Sequence, residues 1–189
     1  MTQDYSAWLT PDRLAVEEEQ WRESAIYRLY AADLLDFMEH NAARSVIEVG
    51  CGTGWVATCI PPWIDYTGVD ANAECLRLAQ TKSDRPFLNA DIRGLKTEPR
   101  DVVCAFAFLK HFALHEWPQV VHRLLSFGRL GLFTMNVGTH DLDDISQGFA
   151  HTWVSVPTLA AAADLAGHVI VQTAMLHTGE TLVETCTRS

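Results

Sequence analysis

The chain has 189 residues, enough for one well-packed domain and too few for two of full size. Apolar residues make up 48% and charged residues 20%, which excludes a disordered chain. The net charge of −10, with three lysines (Lys82, Lys96, Lys110) and no arginine cluster, disfavours nucleic acid, whose phosphates are gripped by clustered Lys and Arg.

The opening Met1-Thr2-Gln3-Asp4-Tyr5 is polar and acidic and does not read as a secretory signal. From about Asp12 to His40 the pattern is helical: Ile26, Tyr30, Leu34, Phe37 and Met38 recur at three- and four-residue spacing, and Thr10-Pro11 supplies a start signal. Glu17 to Trp21 reads as a separate helix or a lead-in, so residues 1–40 are expected to be a helical extension beside a main domain of residues 41–189. After Asn41 strands and helices alternate. Strands are expected at Ser45–Val49, Ile64–Val69, Phe87–Leu88, Val102–Phe108, Arg129–Val137, His168–Met175 and Thr181–Thr187. Helices are expected at Trp55–Ile60, where Pro61-Pro62 stops the turn, and at Asn72–Gln80, Trp117–Phe127 and Val156–Ala166. The run Val102–Leu109 is the longest without a polar residue, and at eight residues it suits a buried strand and cannot span a bilayer, so no membrane partner is expected. Alternation of this kind predicts an α/β fold: a doubly wound, mainly parallel, seven-stranded sheet with helices on both faces. The short Thr178-Gly179-Glu180 turn makes the last two strands a C-terminal antiparallel hairpin. The five scattered cysteines (51, 59, 75, 104, 186) show no C-x-x-C spacing, and read as reduced thiols of a cytoplasmic protein.

The chemistry concentrates at Glu48-Val49-Gly50-Cys51-Gly52-Thr53-Gly54, where a strand runs into three alternating glycines and then a helix. Glycines allow a tight turn and let backbone amides approach a ligand with no Cβ in the way. Asp70 follows at the end of the second strand, where an acid accepts hydrogen bonds from ribose hydroxyls in nucleotide-binding sheets. The dinucleotide fingerprint G-x-G-x-x-G needs a third glycine for close helix packing. Trp55 occupies that position, which weakens a pyrophosphate reading.

The segment Glu48–Gly54 resembles the first motif, E/D-x-G-x-G-x-G, of the class I S-adenosylmethionine-dependent methyltransferases. Tyr66–Asn72, Asn89–Ile92 and Asp101–Phe106 resemble the second, third and fourth motifs of that family, in the same order. The reversed closing hairpin is also similar to that fold. The resemblance implies that Gly50, Cys51, Gly52 and Gly54 form the cofactor loop, with Glu48 ordering it or the cofactor's amino group. It further implies Asp70 on the ribose, Ala71 against the adenine, Asp91 and Ile92 flanking the adenine, and Ala105 and Phe106 near the sulfonium. The implied cofactor is S-adenosylmethionine, and the implied reaction is methyl transfer to a small-molecule or protein acceptor.

Other residues carry weaker signals. His111 is the first candidate for a general base, should the acceptor need to lose a proton. Lys110, His111 and His115 sit beyond the fourth strand, at the edge where open α/β sheets bind ligands; His111 and His115 lack a third metal ligand, so no metal is expected. Trp21, Arg22 and Tyr27 either pack or close over a cofactor. His140, Asp141, Asp143, Asp144 and His151 fall in a long loop, as solvated charge or as part of an acceptor pocket. Two rival functions stay open: a nicotinamide-dependent oxidoreductase, and a cofactor-binding module without turnover.

Overall fold

The structure is a computed structural model that describes residues 10–139, 141–144, 151–176 and 178–188. Two helices come first, α1 (Pro11–Ser24) and α2 (Ile26–His40), and they are separate because Ala25 between them takes a left-handed conformation. Strand β1 (Ser45–Val49) lies between β2 (Asp65–Asp70) and β4 (Arg100–Ala105), parallel to both, and β3 (Phe87–Asn89) adds to β2. Helix α3 (Ala73–Lys82) starts at Asn72, whose side chain accepts from the Glu74 and Cys75 amides at 2.9 and 3.2 Å, a real N-cap. After α4 (Trp117–Leu125), β5 (Gly128–Gly138) pairs parallel with β4. The remaining elements are β6 (Leu142–Asp144), β7 (His151–Ser155), α5 (Val156–Leu165), β8 (His168–Met175) and β9 (Thr181–Thr187).

The expected seven-stranded body is present in the order β3-β2-β1-β4-β5-β9-β8, parallel as far as β5, with β9 antiparallel to both β5 and β8. Its antiparallel hairpin has the expected bounds at both strands. Two short strands were not foreseen. The far end of β5, Asn136–Gly138, pairs parallel with Trp153–Ser155 of β7, and β6 pairs antiparallel with β7. The sequence there reads as a loop because each strand is only three to five residues long and is set among Asp, Gly and Ser.

Two other expectations are corrected. Residues 55–60 make a single 3₁₀ turn, Val56–Cys59, in place of an α-helix, since Pro61 ends the segment before a second turn can form. The fourth strand stops at Ala105, three residues early, because the backbone turns aside at Ala107 (φ 52°) into a 3₁₀ turn over Leu109–His111.

Apolar side chains pack on both faces of the sheet. One face carries Val120, Val121, Leu124 and Leu125 of α4 with Leu159, Ala162 and Ala163 of α5. The other carries Tyr27, Tyr30, Leu34, Phe37 and Met38 of α2 against Val46, Val102, Cys104, Leu130 and Leu132. Among the described residues no helix is long and apolar enough to cross a membrane.

Candidate functional site

The carboxyl ends of β1, β2 and β4 open into a cavity of about 380 Å³, within the range of small-molecule sites. Its floor is the loop after β1. The amides of Gly50 and Cys51 both donate to the Val69 carbonyl, at 2.8 and 3.0 Å, so the loop folds back over the end of β2. Gly54 serves packing more than ligand approach: its φ is +77° and a Cβ there would lie 2.7 Å from the Cβ of Ala79 on α3.

Glu48, at the tip of β1, is buried and accepts a short hydrogen bond from the Tyr66 hydroxyl. Burial raises its pKa to about 8, the Tyr66 bond opposes that rise, and nearby Asp70 adds to it. Asp70 accepts from the Gly52 amide at 2.9 Å and from the Asn72 amide at 2.8 Å. Burial pushes its pKa up, and these amide bonds partly offset the push. Asp91 accepts from the Arg93 amide and from its Nε, both at 2.8 Å, and the guanidinium holds the Asp91 pKa below its ordinary value. Arg93 also reaches Glu116 at 3.3 Å.

Of the sequence-predicted residues, the cavity brings together Glu48, Gly50, Cys51, Gly52, Asp70, Ala71, Asp91, Ile92, Phe106 and His111. Gly54 and Ala105 stand behind its wall, Ala105 fully buried in the apolar core. Trp21 lines the cavity, whereas Arg22 pairs with Glu19 on the surface and Tyr27 packs against Trp55 with ring centroids 4.9 Å apart. Lys110 faces away and pairs with Glu180 at 2.7 Å. Asp141 braces the start of α5, whose N-cap is Ser155, accepting from the Ser155 amide at 2.6 Å and from the Thr158 hydroxyl at 2.7 Å. His140 and the side chains of Asp143, Asp144 and His151 lie outside the described residues. Among the described residues no three of His, Cys, Asp and Glu are grouped to hold a metal.

Sequence reasoning missed the fourth wall. Leu14, Glu17 and Glu18 of α1 line the cavity beside Trp21. Glu18 pairs with Lys82 of α3 at 2.7 Å, and Lys82 lies 5.1 Å from the centre of the Trp55 ring. The signal was the four-residue step Leu14–Glu18 and the further three to Trp21, one helical face that carries both apolar and acidic residues. Two buried polar atoms here, Oε2 of Glu18 and Nε1 of Trp55, have no partner among the described residues. Buried polar groups are nearly always bonded, so a cavity with a spare acceptor and a spare donor fits a polar ligand.

An open α/β sheet with a glycine loop, an acid on the neighbouring strand and a cavity at the strand ends defines a nucleoside-binding domain of Rossmann-like type. Comparison with known proteins agrees. Residues 46–129 match the family described as "Methyltransferase domain". The chain is 35% identical over 109 residues to trans-aconitate 2-methyltransferase of Klebsiella pneumoniae (strain 342), a stretch that covers 54% of this chain and 43% of that protein. It thus spans less than half the length of the curated relatives it matches. The fold is similar to 1,6-didemethyltoxoflavin-N1-methyltransferase of Burkholderia thailandensis, solved with 1,6-didemethyltoxoflavin and S-adenosylhomocysteine. That likeness has a TM-score of 0.74 and 18% identity, and covers 94% of this chain and 84% of the other. It is similar as well to magnesium protoporphyrin IX methyltransferase of Synechocystis PCC 6803, solved with S-adenosylmethionine, at a TM-score of 0.71, 15% identity, and coverage of 85% and 79%. Residues 46–129 thus carry the match to a methyltransferase domain, and the fold is that of S-adenosylmethionine-dependent methyltransferases.

Proposed function

We propose that this protein binds S-adenosylmethionine in the cavity at the ends of β1, β2 and β4 and transfers its methyl group to a small molecule. The observation that carries the reading is the convergence of Glu48, the Gly50–Gly52 backbone, Asp70 and Asp91 on one cavity whose spare polar atoms, on Glu18 and Trp55, await a polar ligand. When bound, S-adenosylmethionine supplies an electrophilic methyl group on a cationic sulfur. The chain's own residues do the rest by placement. Asp70 is already oriented by two amides and keeps lone pairs to accept from ribose hydroxyls. Asp91, fixed by Arg93, and Ile92 would flank the adenine, and Ala71, on the same cavity, would pack against it. Glu48, buried at the loop, suits the amino group of the methionine end. Trp21, Phe106, Phe108 and Phe112 give the cavity an apolar wall, which excludes water and aligns an acceptor for in-line attack. His111 also lines that wall, which supports it as the candidate to take a proton from an acceptor that must lose one.

A small acceptor is favoured over a protein because the cavity is of the size of small-molecule sites, and because the similar solved proteins named above bear small molecules in their names. Five unbridged cysteines, two of them on the cavity wall, fit a reducing, cytoplasmic setting. The test is calorimetric titration of the purified chain with S-adenosylmethionine, S-adenosylhomocysteine and NAD. Binding of the first two at micromolar or tighter affinity and no heat with NAD is expected. Binding of NAD alone would overturn the reading in favour of an oxidoreductase. Binding without S-adenosylhomocysteine release across a panel of small-molecule acceptors would favour a module without turnover.

A further inference from the structure

The stretch that follows β4 forms one wall of the cavity through Phe106, Ala107, Phe108 and His111, yet its only regular structure is one 3₁₀ turn. Ala107 sits at φ 52°, a conformation that a residue with a Cβ adopts only when its surroundings impose it. Phe108 presses on the glycine loop so closely that a Cβ on Gly50 would lie 2.2 Å from its ring. The placement of this stretch therefore sets the shape of the cavity floor as well as its wall.

What holds it lies behind the cavity. Glu180, buried at the turn into β9, accepts from the Tyr30 hydroxyl at 2.7 Å and from Nζ of Lys110 at 2.7 Å. The ring of Tyr30 is stacked on that of Phe106, centroids 4.8 Å apart and planes 6° from parallel. Thr134 of β5, which helps to lower the Glu180 pKa, accepts from the Ala107 amide at 2.7 Å. One carboxylate thus reaches Phe106 through Tyr30 and the turn bearing His111 through Lys110, while Ala107 between them is held by Thr134. Burial opposes the charge on Glu180, but the Lys110 ammonium and the bonds from Lys110 and Tyr30 outweigh it and keep its pKa below the ordinary value. It is an ion pair at the core of a satisfied network, where each group depends on the others.

We propose that Glu180 is a positioning residue for methyl transfer, clamping Phe106–His111 from behind so that this wall meets the methionine end of the cofactor. The inference rests on the function proposed above. It concerns only one half of the ligand, because Asp70 and Asp91 on the adenosine side make no contact with the clamp.

The test uses that division. Wild-type protein and Glu180→Gln are titrated with S-adenosylhomocysteine by calorimetry and with adenosine by ligand-observed NMR. Glu180→Gln is expected to weaken S-adenosylhomocysteine about tenfold, the weight of one charge-assisted hydrogen bond passed on to the site. Adenosine affinity should stay within about twofold, as for an independent region. Tyr30→Phe keeps the ring on Phe106 and loses only the bond to Glu180; it should show the same pattern in smaller measure, and serves if Glu180→Gln does not fold. Unchanged S-adenosylhomocysteine affinity in the folded variant, or equal loss for both ligands, would overturn the positioning role. A wild-type protein that binds neither ligand would overturn the methyl-transfer reading itself, and the clamp with it.

Discussion

At Gly50 the backbone has φ +75°, and the Phe108 ring occupies the space where a side chain would begin. Gly50→Ala therefore adds left-handed strain to overpacking, and should cost about 2–4 kcal/mol by urea unfolding and weaken S-adenosylhomocysteine binding. A variant as stable as wild type would show that Phe108 moves freely. Glu48 makes a second prediction. Its pKa is about 8 in the fold against 4.5 for an ordinary glutamate, so the folded chain holds a proton that the unfolded chain releases. Its contribution to stability is complete below pH 4.5 and is lost as pH rises through about 8. Glu48→Gln keeps an acceptor for Tyr66 and has no proton to lose. It should flatten the stability profile across that window and exceed wild type above it, as denaturant midpoints at several pH values will show. The residues on the glycine loop and Asp70 were legible in the sequence because the chemistry needs them at fixed short spacing. Glu180 was not, since its partners Tyr30 and Lys110 are 150 and 70 residues away and nothing local marks them.

Among the elements, α1 depends least on the core. Of its described side chains only Leu14 is fully buried, and it is joined to α2 through Ala25 at φ 52° and ψ 18°. The Ala25 amide donates to the Trp21 carbonyl, the usual closure for a helix that ends on glycine. Ala25→Gly removes the left-handed penalty and should raise stability by about 1 kcal/mol, less some entropy gained by the unfolded chain. A fall in the urea midpoint would mean that the Cβ makes a packing contact worth more than the strain. The separation of α1 from α2 was only half visible in sequence: helical periodicity ran through residue 25, and no Gly or Pro marks the break. The missed β6 and β7 have a similar origin. They exist because β5 runs on to Gly138 and offers an edge, a property of β5 that short polar-flanked strands do not reveal.

Across the whole molecule, the mainly parallel sheet and its reversed closing hairpin followed from alternation and one short turn, the two features that tie sequence to sheet topology most directly. The shape of the cavity did not, because it needs α1, the post-β4 stretch and β9 to arrive at one place from opposite parts of the chain. The position of β9 between β5 and β8 has a consequence for assembly. As the polypeptide leaves the ribosome, every strand of the parallel half is available before residues 181–187 emerge, and until then Leu130, Leu132 and Phe133 border an open seam. The pocket's backstop enters with that late insertion. A nascent chain can therefore own a complete glycine loop while the wall that Glu180 backs is still without its support.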